Sequence, residues 1–282
     1  MTDPAARLRT AWDAELDGLQ GTFSLVLESG RVSVSRQPDI PHYPASTIKL
    51  AVLAAWLRAR TREDAGIVVH SRFASAAGGD FELLQADDQD DATWGQVGTP
   101  VELVTLVDRM VTVSSNIATD LVVEHIGFDA VRQLIASAGL ADSLRLDRLI
   151  GDAPAQERSI TNSVTAAGLA QLMVQIADGT LLGTAGRETA LDMLSRQTHR
   201  RMIPAGLPTH TWSASKGGWV PGVAHDVALV RPVAAPPYVL AICTTSTLDD
   251  AGAADLVARL STITWQQWVD WPHSRGRLVR RP

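Results

Sequence analysis

Strand-like runs stand at both ends of this chain with a long helical stretch between them, and that order limits how it can fold. Near the N-terminus, "TFSLVLES" and "RVSVSRQ" alternate around Ser29 and Gly30, which is the pattern of a β-hairpin. After residue 210, "TWSASKGGW", "AHDVALVRP" and "PYVLAICTT" predict three further strands. From Thr47 to about Leu181 the periodicity is helical, broken at "GGD", in "ADDQDDATWGQVGTP" and around "IGDAPAQERS". Helices are also predicted over the first twenty residues, where Leu8, Trp12, Leu16 and Leu19 share a face, and from about Asp249 to Trp268. The arrangement predicts one mixed sheet built from the two termini, a separate helical lobe, and a cleft between them. The expected division puts residues 1–45 and 205–282 in the sheet-bearing lobe and 46–204 in the helical lobe.

Composition narrows the function classes. With 282 residues, 45% hydrophobic and 20% charged, the chain has the make-up of a folded globular protein, and disorder is excluded. The net charge of -6 and the scattered Lys and Arg residues argue against a nucleic-acid partner. The basic tail "SRGRLVRRP" reads as a solvated end. Cys243, the single cysteine, excludes an internal disulfide, offers no metal-ligand spacing and reads as a buried core thiol. The acidic loop from Asp87 to Asp91 lacks the Gly and Glu spacing of a calcium loop and reads as solvated. No metal and no cofactor is expected. The N-terminal stretch has no basic start, apolar middle and small-residue cleavage site, and no apolar run is long enough to span a bilayer. The expected setting is therefore cytoplasmic, with no membrane partner.

The segment "PASTIKLAVLAAWLRA", residues 44–59, carries the first chemical signal. Pro44 disfavours helix for the residue before it and Ser46 suits a helix start, so a helix is predicted to begin near Ser46. Beyond Lys49 the run "LAVLAAWL" is apolar on every face, as in a helix enclosed by the rest of the protein. Ser46 and Lys49 lie one turn apart and share a face. Burial disfavours an ammonium, so a neutral Lys49 can take the proton of Ser46. The competing reading makes Ser46 a cap and lets Lys49 snorkel to the surface. Downstream, Ser114, Ser115 and Asn116 interrupt a helical pattern, and Lys216 precedes two glycines in a strand-like run. Glycines there let a substrate lie against the strand backbone. Taken singly, these are a helix start at Ser115 or Asn116 and a surface lysine before a bulge.

Taken in order, "STIK", "SSN" and "KGG" resemble the three motifs of the class A β-lactamases and related penicillin-binding serine hydrolases. The resemblance covers most of the chain, including "VGTPVELVTLVDRMVTVSSNIATDLVVEHIG", "LRLDRL" and "TNSVTAAGLAQLM". It implies an α+β fold of the β-lactamase/transpeptidase-like type, with an antiparallel sheet flanked by helices and an all-helical lobe. It further implies Ser46 as the acylated nucleophile, Lys49 as its base and Ser114 as the relay of a proton to the leaving nitrogen. Asn116 would hold the substrate's amide side chain, and Lys216 would place positive charge near Ser114 and a substrate carboxylate. The strand at Gly218 and Trp219 would flank the substrate, with the N–H groups of Ser46 and Trp219 as the oxyanion hole.

The departures from that pattern are as informative. Ser115 replaces the family's Asp, with its side chain expected to point away from the cleft. Gly217 removes a hydroxyl that the family uses to bind a carboxylate. Ile150 falls where the deacylating glutamate should stand, and without that acid nothing there activates the hydrolytic water. Asp152 and Glu157 are the loop acids that could move in. His225 lies on the strand after Lys216 and is a candidate for binding the substrate carboxylate or activating water, with a hydrogen-bonded structural histidine as its plain alternative. His210 is a weaker candidate. The expected function is a serine hydrolase acting through an acyl-enzyme on a small-molecule amide, lactam or ester, with weak β-lactamase activity. A cytoplasmic biosynthetic acyltransferase or esterase on the same scaffold is the alternative. A non-catalytic ligand-binding protein would be expected to lose the nucleophile or its base, and neither is lost.

Overall fold

A computed structural model describes residues 3–59 and 66–273, and the basic tail lies outside the described residues. Helix α1 (Pro4–Leu16) starts at Asp3, whose carboxylate accepts the Ala5 N–H, and it buries Leu8, Trp12 and Leu16. Strands β1 (Gly21–Ser29) and β2 (Val32–Arg36) form the hairpin, with Gly30 taking the left-handed backbone of its turn at φ 59°. A 3-10 turn, Ala45–Ile48, then feeds α2 (Lys49–Ala59), in which every residue from Lys49 to Trp56 is buried. The enclosed helix expected there is present, beginning three residues after Ser46.

The central stretch holds more than helices. It runs through β3 (Gly66–Val68), β4 (Arg72–Ala74), β5 (Asp80–Glu82), α3 (Asp91–Trp94) and β6 (Pro100–Glu102). It continues through α4 (Leu103–Thr112), α5 (Asn116–Ile126), α6 (Phe128–Ser137), β7 (Leu144–Arg145), α7 (Ala153–Glu157), β8 (Ser163–Val164), α8 (Ala166–Asp178) and α9 (Gly183–Ser195). The short strands pair as β3–β6, β4–β5 and β7–β8, fastening the loops that join the helices. Strands β9 (Trp212–Val220), β10 (Val223–Arg231) and β11 (Tyr238–Ser246) and helix α10 (Asp250–Val269) close the chain.

The main sheet has the order β2-β1-β11-β10-β9, and every neighbouring pair is antiparallel. A mixed sheet, expected from the residues alone, is corrected: the β9–β10 link is only Pro221 and Gly222, too short for a parallel crossover. Side chains alternate across the sheet. Leu25, Leu27, Ala228 and Leu240 face α1 and α10, where they meet Trp12, Leu256 and Leu260. Val26, Val227, Ala241 and Cys243 face the helices built around α2. Burial raises the Cys243 thiol's pKa and leaves it an unreactive core group. Strand β9 is one of the two edge strands of the sheet and packs on the 3-10 turn that carries Ser46, so the nucleophile candidate is brought against an edge strand. Among the described residues no helix is long and apolar enough to cross a membrane.

Candidate active site

Ser46 is half-buried in the 3-10 turn and borders a cavity of about 110 Å³ shared with Tyr43, Ser114, Asn116, Ile150 and Trp219. The turn is entered through Ala45 at φ 45° and the facing loop through Ser114 at φ 62°, both left-handed positions that a side-chain-bearing residue rarely takes. Such backbone persists where the surroundings over-determine it, as they do here on both walls of the cavity.

Lys49 is wholly enclosed, so it does not snorkel. Its Nζ donates to the Ser114 carbonyl at 2.7 Å and to Asn116 Oδ1 at 2.8 Å, with Ser115 O at 3.3 Å and Ser114 Oγ at 3.4 Å. The Ser114 and Ser115 carbonyls and Asn116 Oδ1 accept only, so the Lys49 N–H groups are directed at these oxygens, the two shortest contacts being to Ser114 O and Asn116 Oδ1. Asn116 Nδ2 donates to the Asp87 carbonyl at 2.9 Å, which settles which way the amide faces. Burial lowers the Lys49 pKa to about 8 against the opposing charges of Asp88 and Asp120. Among the described residues Ser46 Oγ takes part in no hydrogen bond, so Ser46 is not acting as a helix cap.

Lys216 is buried in regular strand pairing opposite Val227, so it is neither a surface lysine nor the start of a bulge. Its Nζ donates to Ser114 Oγ at 2.9 Å and to the Gly217 carbonyl at 2.8 Å. Burial and the neighbouring Lys49 push its pKa well down, and Asp226 opposes them. The Ser114 hydroxyl thus stands between two buried lysines. Ser115 caps α5, accepting the Ala118 N–H, and its hydroxyl turns away from the cavity.

Gly218 faces the Ser46 turn so closely that a Cβ there would lie 2.4 Å from Ser46 N. The neighbour that demands a glycine is therefore the protein's own backbone. Gly217 faces the other way, and a Cβ there would meet the Met202 methyl at 2.6 Å. The Trp219 ring packs edge-on against His199, 4.9 Å between centroids, with the Arg201 guanidinium 5.1 Å above it.

His225 is corrected as a substrate ligand. It is fully buried, with Nε2 2.9 Å from the Tyr43 carbonyl and Nδ1 accepting the Thr244 N–H at 3.0 Å. That pairing leaves it neutral, and burial next to His42 lowers its pKa to about 4. Its work is to hold the segment leading into Ser46. His210 is exposed in the turn before β9 and does not border the cavity. Asp152 is likewise structural: it caps α7 through the Ala155 N–H and accepts from Ser75 Oγ at 2.7 Å and Ala76 N at 2.8 Å. Glu157 is exposed and does not border the cavity. Ile150 borders it, as the resemblance implied.

The acidic loop is not simply solvated. Asp88 accepts the Asn116 and Ile117 N–H groups at 2.8 Å each, placing a carboxylate on the N-terminus of α5. Asp90 is buried against Arg109 and Thr93, which hold its carboxyl down to about 2 in spite of burial. Periodicity missed two further groups. Asp120, mid-way along α5, accepts the Ile150 N–H at 2.8 Å, and Asp226, opposite Gly217, accepts the Ile203 N–H at 3.0 Å. Their only signal in the sequence is a carboxylate inside an apolar run, in "IATDLVV" and "AHDVALV". Among the described residues no cluster of three or more potential metal ligands is present. A larger cavity of about 420 Å³, bordered by Arg187, Leu229 and Arg231, is lined by none of Ser46, Ser114 and Asn116.

Residues 6–268 match the profile of the Beta-lactamase enzyme family. A β-lactamase from Bacillus licheniformis is 26% identical over 269 residues, spanning 93% of this chain and 82% of that protein. One from Amycolatopsis lactamdurans is 28% identical over 268 residues, spanning 90% and 82%. Among solved structures, a β-lactamase from Xanthomonas campestris superposes with TM-score 0.81 at 19% identity, over 95% of this chain and 99% of that one. PBP-A superposes with TM-score 0.78 at 20% identity, over 94% and 96%, and a mutant of it forms an acyl-enzyme complex with penicillin G. The fold is the β-lactamase/transpeptidase-like one that the motifs implied.

Proposed function

Because the chain belongs to the beta-lactamase enzyme family, whose members resembling it are serine hydrolases, we propose that Ser46 is acylated by a small-molecule amide, lactam or ester. Neutral Lys49 takes the Ser46 proton as Oγ bonds to the substrate carbonyl carbon. The Ser46 and Trp219 N–H groups receive the oxyanion, an arrangement worth about 3 to 4 kcal/mol of barrier per donor. Ser114 passes its proton to the leaving nitrogen and is resupplied from the lysines on either side. Asn116, clamped between Lys49 and Asp87, faces the substrate's amide side chain. The observation that carries this reading is the Ser114 hydroxyl, held 2.9 Å from one buried lysine and 3.4 Å from another beside the Ser46 cavity.

Acylation is better provided for than hydrolysis of the acyl-enzyme. Ile150 borders the cavity, and the acidic residue bordering it among the described residues, Asp87, offers its carbonyl to Asn116. A β-lactam adduct is therefore expected to leave slowly, giving weak β-lactamase activity. The same observation favours a second reading, in which the natural acyl group passes to an acceptor other than water. Intact-protein mass spectrometry after exposure to a fluorophosphonate and to a penicillin tests the proposal. An adduct on Ser46, absent from Ser46→Ala, is expected; no adduct with either reagent would sink it.

A further inference from the structure

Arg148, in the segment leading to Ile150, is a buried guanidinium whose hydrogen-bond acceptors among the described residues are all uncharged. Nη1 donates to the Leu149 carbonyl at 3.0 Å, and Nη2 donates to Tyr43 Oη at 3.2 Å and Gln156 Oε1 at 3.4 Å. Among the described residues its Nε has no partner. A buried cation is costly unless it is bonded, and the Tyr43 hydroxyl is one of the few groups that answer it. The tyrosine is held at both ends, since the guanidinium lies 5.6 Å from its ring centroid and its carbonyl is bonded to His225. Tyr43 is half-buried and borders the Ser46 cavity together with Ile150. Because Arg148 also bonds the Leu149 carbonyl, the phenol oxygen lies beside the backbone that carries Ile150. A guanidinium only donates, so Tyr43 Oη is the acceptor in that bond and its own O–H is not used there. That O–H meets no acceptor among the described residues. A phenylalanine ring would line the cavity equally well; what the hydroxyl adds is a donor and a lone pair, both aimed by Arg148.

We infer that the Tyr43 hydroxyl binds the acyl acceptor, a molecule of water or a small alcohol that attacks the Ser46 ester from the Ile150 side of the cavity. This rests on the reading of Ser46 as the acylated nucleophile. The acceptor is compact, because a cavity of about 110 Å³ leaves little room beside an acyl group. In the transfer step the acceptor oxygen bonds to the ester carbon as its proton passes to neutral Lys49. The bond from that carbon to Ser46 Oγ then breaks, and Oγ recovers a proton from Lys49. The products are free Ser46 and an acid or an ester, and the phenol neither gains nor loses a proton. Tyr43 supplies position: one hydrogen bond to the attacking oxygen, on the wall where the Ile150 side chain offers none.

Tyr43→Phe keeps the ring and removes the donor. Stopped-flow measurement reads acylation by a penicillin, and time-resolved mass spectrometry reads release of the adduct in water with and without methanol. Penicilloic acid reports hydrolysis, and its methyl ester reports transfer to the alcohol. The ratio of release to acylation should fall about tenfold in the variant, the usual weight of one hydrogen bond. A fall in both products supports the inference, and a fall in one supports it and names the acceptor. A ratio equal to the parent's would overturn it, as would an equal fall in acylation and release, which is what a merely structural role gives. A parent that forms no Ser46 adduct would instead sink the acyl-enzyme reading on which the inference rests. Should Tyr43→Phe not fold, the parent protein supplies the test, since the chain has two tyrosines and Tyr238 is buried against Trp268. With a penicillin adduct on Ser46, the ¹³Cζ signal of Tyr43 should shift as methanol is added while that of Tyr238 stays, and an unmoved Tyr43 signal would overturn the inference.

Discussion

Gly218→Ala adds one methyl group at the contact between β9 and the Ser46 turn. Its Cβ would stand 2.4 Å from Ser46 N, 2.9 Å from Thr47 N and 3.0 Å from Ser46 Cα. Real Cβ contacts do not fall below 3.0 Å, so strand and turn must separate by at least about 0.6 Å at Ser46 N. The opposing atoms are backbone, and no rotamer change relieves them. The turn resists moving, because His225 grips the Tyr43 carbonyl and Ala45 is held in a left-handed conformation. Overpacking of this kind costs about 1–3 kcal/mol of stability. The displaced N–H is the proposed oxyanion donor, and losing one such donor slows reaction by about 10² to 10³-fold. Stopped-flow acylation by a chromogenic lactam, with thermal unfolding in parallel, measures both effects. Gly217→Ala is the control, since its methyl meets the flexible end of Met202 on the opposite face and should leave acylation near the parent's. A Gly218→Ala protein that acylates at the parent rate, or equal losses at both glycines, would refute the assignment of the Ser46 turn and β9 as the oxyanion wall.

Three other outcomes are expected. Lys49→Ala should slow Ser46 acylation by about 10²-fold or more, and in the parent the rate should rise as pH climbs through about 8, where the buried ammonium gives up its proton; labelling of the variant at the parent rate would remove Lys49 as base. Ile150→Glu should speed release of a penicillin adduct by about 10² to 10⁴-fold, read by time-resolved mass spectrometry, whereas fast turnover by the parent would show that a base is already present. His42 and His225 are held neutral by burial with pKa values lowered to about 4, below the unfolded value of 6.5, so their stability contribution is complete above pH 6.5 and is lost as pH falls toward 4. For His225 that loss is on the order of 3 kcal/mol. Chemical denaturation across that window should show the fall in the parent and a smaller one in His225→Gln; a flat parent profile would contradict the buried neutral assignment.

The sequence by itself determined the main elements and the chemical cast, though not the short strands β3 to β8 or helix α9. Alternation marked the five strands of the sheet, an all-apolar turn-by-turn pattern marked the enclosed α2, and the order of Ser46, Lys49, Ser114, Asn116 and Lys216 carried the family likeness. Each of these is a short-range or ordered signal, set by side-chain periods of 2 and 3.6 residues or by motif spacing. Tertiary structure alone decided which groups meet. His225 and Gly218 sit directly opposite each other in the β9–β10 register, yet the histidine is sealed beneath Tyr43 while the glycine touches the Ser46 turn. The acidic loop reads as solvated until Asp88 is found capping α5 and Asp90 bound to Arg109. Asp120 reads as a flaw in an apolar helix until a loop thirty residues later lays the Ile150 amide on its carboxyl. Burial and hydrogen bonding between distant segments are properties of the assembled packing, where the same residue type is a solvated charge, a cap or a buried anchor according to what covers it.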